Sequence, residues 1–350
     1  MSQQWGCLQS ADLGARPQYR GNGLAVMGDK RLIRLLMSCA VACAVIASNA
    51  YAQWTWTPQT GRFVNVKRLP KETPELQVEF ARGLMVDGKY KDALRETAKF
   101  INYYNETDWA DDNQYLRGEI ELAQGDYSDA ANEFQQVVAV YPDSPLFDDV
   151  IDRQYEIGSL FFDKGKANLE KGTLLAWRPF RKRPFRRAVD VYNMVIDNQP
   201  FTNEAAEAQY KIGLCHFTLE EYVEASYEYQ RVVEDYGQSE WADDASYGLA
   251  MCYYNSSMPA GYDQAPSMLA MEAIDTFNVR YPADARGAEL ATIRVEMVEK
   301  VAQQRLQTAQ FYEKRRRFKS ARIYYNVVID QFPGTSAASE AQTWLTSNPG

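Results

Sequence analysis

The chain is 350 residues long, 46% hydrophobic, with a formal net charge of −9. That is enough apolar content to bury a sizeable core, and the acidic balance excludes general nucleic-acid binding, which wants a basic face. Tyrosine is abundant at 23 residues, whereas histidine occurs once.

Residues 1–26 carry no targeting logic and read as a mis-assigned extension ahead of a true start at Met27. From Met27, the basic pair Lys30-Arg31 leads into an apolar run, Leu35 to Ile46, and then Ala50-Tyr51-Ala52. A basic start, a short apolar core and an A-x-A site make residues 27–52 a secretory signal cleaved after Ala52, so the mature chain is predicted to be exported. Two lipid-anchor readings compete with simple cleavage. Leu36-Met37-Ser38-Cys39 has a lipobox-like order behind a short stretch interrupted by Arg34; Ala40-Val41-Ala42-Cys43 has more apolar length and a poor first residue. No other stretch is long and apolar enough to span a bilayer.

Residues 53–74 are aromatic and polar without helical period. Trp54-Thr55-Trp56-Thr57 is followed by Pro58, Gly61, Pro70 and Pro74, which predicts an extended arm or linker with a tight turn near Thr60-Gly61.

From residue 75 the chain repeats. Alanines stand at Ala93, Ala130, Ala188, Ala225, Ala270 and Ala321. Twelve residues after them come Asn105, Pro142, Pro200, Gly237, Pro282 and Pro333. Twelve residues before come Ala81, Gly118, Gly213 and Ala309 in four copies; in the other two an insertion displaces the small residue upstream, to Gly158 and Ala250. Small residues on two successive helices permit close approach, and a helix-ending proline follows. This is the arithmetic of a tetratricopeptide repeat, with a spacing of 37 residues from Ala93 to Ala130 and again from Ala188 to Ala225. The predicted fold is therefore all-α: one tetratricopeptide-repeat α-solenoid of about six helix-turn-helix units over residues 75–345.

In chain order the units are predicted at 75–105, 109–142, from Phe147 with an insert of roughly twenty residues between its helices, 203–237, 241–282 and 301–333. A shorter insert runs from Asn255 to Gln264, and a separate extended helix covers 286–300. A capping helix runs through Trp344. A solenoid buries its core by stacking units, so binding rather than chemistry is the expected activity.

Two A helices open on Trp-Ala-Asp-Asp, at 109–112 and 241–244. Acids near a helix N-terminus favour its macrodipole, with Thr107 and Ser239 as expected caps. These carboxylates sit in different repeats and make no metal site. Cys215 and Cys252 hold equivalent places on neighbouring A helices, beyond disulfide reach, and are predicted to be free and buried. His216 reads as a core or groove side chain. No nucleophile elbow, phosphate loop or CxxC pair occurs, so the sequence predicts no catalytic residue, metal or cofactor.

A side-chain ladder is more informative. Three residues before each small residue of helix A stand Val78, Tyr115, Tyr155, Tyr210, Tyr247 and Leu306; three further back stand Glu75, Asp112, Asp152, Glu207, Asp244 and Gln303. Four residues after it come Met85, Leu122, Phe162, Phe217 and Tyr254, with Glu313 in the last repeat. Residues spaced by three or four share a face. Met85, Tyr115, Leu122, Tyr155, Phe162, Tyr210 and Tyr247 are thus candidates for a peptide-binding groove with an acidic rim. The same tyrosines can instead pack between adjacent repeats. Two basic clusters stand apart, one with Arg178, Arg181, Lys182 and Arg183 among aromatics, the other Arg315, Arg316 and Arg317 ahead of Phe318. They fit contact with anionic lipid or an acidic partner, or a solvated loop.

The secreted start, the Tyr-x-x-Gly helix A, the Tyr-Pro endings and the insert in the third repeat together resemble the BamD family. The last repeat, from Gln310-Phe311-Tyr312 through Phe318-Lys319-Ser320-Ala321 to Phe332-Pro333-Gly334-Thr335, is similar to that family's final repeat. The resemblance implies a non-enzymatic scaffold at the periplasmic face of the outer membrane. It further implies that N-terminal repeats receive unfolded outer-membrane β-barrel precursors, facing Tyr115 and Tyr155 with Met85 and Leu122 beside them. C-terminal repeats, including Arg315 to Arg317, would meet the barrel-assembly protein. Two features depart from the family: the doubtful lipobox, and Arg117 and Glu121 where the second repeat wants apolar residues. The alternative is a periplasmic adaptor coordinating cell-wall synthesis or division; such proteins often add a coiled-coil arm, and residues 53–74 show no heptads.

Overall fold

A computed structural model describes residues 54–57, 62–65, 69–170 and 183–349. The extension at 1–26, the signal at 27–52 with Cys39 and Cys43, and the basic residues Arg178, Arg181 and Lys182 lie outside the described residues. The chain divides between Leu69 and Pro70 into two units. In the first, β1 (Trp54–Thr57) and β2 (Arg62–Asn65) pair antiparallel, with Trp56 opposite Phe63 and Thr55 opposite Val64.

Among the described residues the second unit's regular elements are all helices. Its helices are α1 (Pro74–Val86), α2 (Tyr90–Tyr104), α3 (Ala110–Gln124), α4 (Tyr127–Val140), α5 (Phe147–Glu170), α6 (Arg183–Asn198) and α7 (Asn203–Thr218). They continue as α8 (Tyr222–Asp235), α9 (Ala242–Ser256), α10 (Ala265–Arg280), α11 (Gly287–Lys314), α12 (Phe318–Gln331) and α13 (Ser336–Ser347). Consecutive helices pack as A–B pairs, six pairs in all, and α13 closes the stack as a cap. The fold is the expected tetratricopeptide-repeat α-solenoid. One detail differs: the separate helix expected at 286–300 and helix A of the sixth repeat are a single 28-residue helix, α11. No proline or glycine interrupts it after Gly287, so nothing in the sequence ends the first segment.

The same two turns recur. Between A and B helices, Gly88, Gly125, Glu220 and Arg316 adopt left-handed backbone at φ +72, +84, +62 and +57. The residue that follows, Lys89, Asp126, Glu221 or Arg317, enters helix B at φ between −86 and −91. B helices end on an aromatic residue, Tyr141, Tyr236, Tyr281 or Phe332, whose carbonyl accepts from the N–H three residues on. Pro142, Gly237, Pro282 or Pro333 stands immediately after it and stops the helix.

Helix approach follows size complementarity. In the second, third and fourth repeats the residue one turn into helix B past its alanine is a ring, Phe134, Tyr192 or Tyr229, and all three are buried. Helix A answers each with glycine: a Cβ on Gly118, Gly158 or Gly213 would meet that ring at 2.6, 2.6 and 2.7 Å. Where helix B offers Thr97 or Ile274, helix A carries Ala81 or Ala250. Each buried ring contributes roughly 2–3 kcal/mol of apolar transfer; in these three repeats glycine makes the room for it, whereas in the sixth Tyr325 is buried with Ala309 at the helix A position.

A polar clamp runs beside this apolar contact. Gln77 and Gln209 are fully buried on helix A, and each donates to a glutamate nineteen residues on, Glu96 and Glu228. Gln114 does the same to Glu133. The third repeat has Val191 at that place, and its Gln154 turns back to Gln135 of the second repeat at 2.8 Å. Asn198 joins both, giving a three-amide network across the repeat boundary.

The charged pair that departs from the repeat pattern is accommodated the same way. Arg117 forms a bidentate contact with Glu133 (Nε–Oε2 2.9 Å, Nη2–Oε1 2.6 Å), so the guanidinium lies along helix B instead of entering the core. At the other end, Glu299 of α11 accepts from the backbone N–H groups of Ser336 and Ala337 and caps α13. Burial pushes the Glu299 carboxyl up, but these bonds and those from the Ser336 hydroxyl and Gln303 prevail and hold it low.

Candidate functional site

Tyr115, Tyr155, Tyr210 and Tyr247 all come out half-buried on the A helices. Each ring leans on a helix B ring of its own repeat: Tyr115 on Phe134 at 5.2 Å, Tyr155 on Tyr192 at 5.7 Å, Tyr210 on Tyr229 at 5.7 Å and Tyr247 on Phe277 at 6.4 Å. The far edge reaches helix A of the next repeat. Arg153 Nε donates to the Tyr115 hydroxyl at 3.4 Å, and the Tyr247 hydroxyl donates to Glu289 Oε2 at 3.2 Å. Tyr210 stacks on Trp241 at 5.3 Å. Burial first, then a hydrogen bond to the Glu207 carboxylate, push the Tyr155 phenol far above its usual range. The ladder therefore couples neighbouring repeats, and its remaining edges stay accessible.

The other groove candidates sit beside it. Met85 and Leu122 pack against the apolar clusters at their repeats, and Phe162 is buried edge-on against Phe185 at 5.6 Å. Lys166 and Lys211 place ammonium groups 5.8 and 5.7 Å from the Phe162 ring centre, and Lys211 also lies 5.9 Å from that of Trp241. These cation–π contacts leave charge beside aromatic surface.

The expected acidic rim is threaded with cations. Arg153 pairs with Glu119 at 2.9 Å and Glu156 at 2.8 Å, and Lys211 lies 3.9 Å from Glu207. Arg286 gathers Asp243, Asp244 and Asp284 at 3.0, 2.5 and 2.6 Å and lies over the Tyr247 ring. Hydrogen bonding from Arg286 holds the Asp284 carboxyl at about 2. A signal was available: Asp243 and Asp244 belong to the second Trp-Ala-Asp-Asp, and Arg286 begins the next helix A at the place Trp241 holds in its own repeat.

The capping expectation for those starts is corrected. The Thr107 hydroxyl donates to the Tyr104 carbonyl, and α3 begins at Trp109 without a side-chain cap. α9 likewise begins at Trp241 without one, and Ser239 Oγ is buried with no hydrogen-bond partner. The turn formed after the preceding B helix consumes both positions, leaving neither hydroxyl over the helix end.

His216 lies with Nδ1 2.9 Å from Glu221 Oε2, while Arg186 donates to the other oxygen at 2.7 Å. Arg186 belongs to the described half of the first basic cluster, where Arg183 is exposed at the start of α6. The second cluster, Lys314 to Arg317, is exposed in the turn between α11 and α12. Next to it a cavity of about 970 Å³ is lined by Glu313, Lys314, Arg316, Phe318, Tyr325 and Trp344 among others. Tyr325 stacks on Trp344 at 4.3 Å and donates to Glu313 at 2.6 Å. Cys215 and Cys252 are free and buried, and burial pushes each thiol up to about 12. Among the described residues no helix is long and apolar enough to cross a membrane.

Comparison with known proteins bears on this arrangement. A family model described as YfiO, outer membrane lipoprotein, matches residues 176–348, and a tetratricopeptide-repeat model matches residues 112–144. The outer membrane protein assembly factor BamD of Caulobacter vibrioides is 24% identical over 183 residues, covering 52% of this chain and 56% of that protein. The match thus spans little more than half the length of this relative. Among solved structures, a tetratricopeptide repeat protein from Parabacteroides merdae aligns over 79% of this chain and 99% of its own, at 14% identity and a TM-score of 0.31. The C-terminal part of a repeat-containing protein from Cytophaga hutchinsonii covers 77% of this chain and 88% of its own, at 18% identity and a TM-score of 0.33. With the six A–B pairs, the family model over the C-terminal half and the curated relative agreeing, the chain is a BamD-like tetratricopeptide-repeat protein.

Proposed function

We propose that the chain is a non-enzymatic scaffold of outer-membrane assembly at the periplasmic face of that membrane. It holds unfolded β-barrel precursors on its N-terminal repeats and the barrel-assembly protein on its C-terminal ones. The observation that carries the reading is the ladder on α3, α5, α7 and α9, where accessible tyrosine edges alternate with paired charges such as Arg153–Glu119 and Lys211–Glu207. An unfolded precursor presents alternating apolar side chains and unpaired backbone amides. Tyrosine edges take the former, and the carboxylate and guanidinium groups take the latter. Many weak contacts along a repeat face retain an extended chain without fixing its register, which suits a carrier. The likeness to a protein named as an outer membrane assembly factor supports the same reading.

Co-purification from gently solubilised membranes tests it, with the tag at the C-terminus. Recovery of an outer-membrane barrel-assembly protein is expected; recovery of cell-wall synthases alone would move the function to the adaptor reading. For the ladder, Tyr115→Ala with Tyr155→Ala should weaken capture of an unfolded barrel segment. Phe at both positions keeps the rings packed on Phe134 and Tyr192 while removing the hydroxyl contacts to Arg153 and Glu207, and so separates lost ring surface from lost polar contact.

A further inference from the structure

The turn between α11 and α12 carries a second binding surface, distinct from the A-helix ladder. From Lys314 to Arg322 there are six cations, and no carboxylate occurs between Glu313 and Asp330, in a chain whose net charge is −9. Residues 314–319 are all exposed, and none of their cations forms a salt bridge with any of the described carboxylates. Two aromatic side chains flank them: Phe311 is 48% exposed and Phe318 is 52% exposed. The Arg315 guanidinium lies 4.3 Å from the Phe311 ring centre, which extends the cation along the apolar surface instead of into solvent alone.

Comparison with the equivalent turns shows that structure alone does not call for this composition. The left-handed position is glycine at Gly88 and Gly125, which adopts it without strain; it is a side-chain-bearing residue at Glu220 and Arg316, acidic in the fourth repeat and basic here. The helix-entry position is Lys89, Asp126 and Glu221 in three other repeats and Arg317 here, where it continues a run of four cations from Lys314. The first residue of helix B is Tyr90, Tyr127 or Tyr222 in the first, second and fourth repeats, each half-buried, whereas Phe318 is 52% exposed. A left-handed arginine, a basic helix entry and an outward apolar ring coincide in this one turn.

We propose that this turn docks the chain on an anionic lipid bilayer, with Lys314 to Arg317 and Lys319 over the headgroups and Phe318 and Phe311 entering the interface. The turn is exposed from Lys314 to Lys319 and so can meet a flat surface, while Lys314, Arg316 and Phe318 also border the cavity beside it. Clustered cations with interleaved aromatics are the composition that binds it. Each cation near such a surface is worth roughly a fivefold change in partition.

The test is vesicle co-sedimentation of the purified chain at low and moderate salt. Vesicles of phosphatidylcholine alone are compared with vesicles in which about a third of the lipid is phosphatidylglycerol. Binding to the second kind only, weakened by salt, is expected. Replacing Arg315, Arg316 and Arg317 together by Gln should weaken it roughly a hundredfold, and Phe318→Ser should weaken it further without changing the salt dependence. Arg316→Gly is the discriminating variant: it relieves the left-handed strain, so thermal stability should hold or rise while vesicle binding falls. Equal binding to both vesicle kinds, or binding unaffected by the triple substitution, overturns the proposal. So does capture of soluble poly-glutamate in place of vesicles, which would assign the turn to an acidic protein partner.

Discussion

A Cβ added to Gly213 would lie 2.7 Å from Cε1 of Tyr229, and one added to Gly248 of the next repeat would lie 2.7 Å from Cε2 of the same ring. Tyr229 is thus held edge to edge between two glycines of successive A helices. Gly213→Ala should destabilise the chain by about 1–3 kcal/mol even though alanine is the better helix former, because a fully buried ring has no room to yield. Thermal melts of Gly213→Ala and of Gly83→Ala, where nothing lies within reach of the new methyl, make the comparison.

The Glu133 carboxylate receives both Arg117 and Gln114; removing it strands the guanidinium and leaves Gln114 with the Glu133 backbone carbonyl alone. Glu133→Ala is expected to cost about 1–3 kcal/mol, and Arg117→Met with Glu133→Leu together to recover most of it, since the guanidinium goes with its partner and Gln114 keeps the backbone carbonyl of residue 133. Denaturant unfolding of the single and double variants reports the difference.

Asp284 should mark an acid-sensitive junction between the fifth and sixth repeats. Its folded carboxyl sits at about 2, below the unfolded 3.8, so the stability it lends is present above about pH 3.8 and is lost as pH falls toward about 2. The gap in unfolding midpoint between the native chain and Asp284→Asn should therefore be largest near neutrality and close in acid.

The two thiols predict the opposite edge of the pH range. Burial raises Cys215 and Cys252 from 9.0 to about 12, so the folded state favours the protonated form. Their contribution is intact below about pH 9 and drains away as pH rises toward about 12. A thiol-blocking reagent at neutral pH should label neither until denaturant is added. Cys215→Ser with Cys252→Ser should flatten the alkaline loss.

Much of this fold was legible because the alanines, the small residues of helix A and the closing prolines each answer to one steric demand that recurs at fixed spacing. Gly118 and Ala130 announce a helix contact wherever they fall. The polar clamp was less visible: Gln77 with Glu96 and Gln209 with Glu228 share a spacing of nineteen, yet glutamine and glutamate are ordinary on exposed helices and carry no sign of burial. The ladder tyrosines were found by position, but their inter-repeat partners were not. Arg153 and Arg286 act from the following helix A, and a contact between repeats depends on the angle at which units stack, which no single-repeat pattern encodes. The continuous α11 is hidden for a related reason: the repeat frame begins near Val301, but the backbone has no cause to stop there.

The largest apolar cluster runs from Ala130 on α4 to Leu219 just after α7, tied across its first repeat boundary by Gln135, Gln154 and Asn198. The clusters toward either terminus are smaller and sit within fewer helices. In a stack where each unit leans only on its neighbours, such an arrangement gives a graded clock: amide protons of α4 to α7 should exchange with solvent last, while α1, α2, α12 and α13 open and close many times before them. Grip on any bound chain would then loosen from the two ends inward.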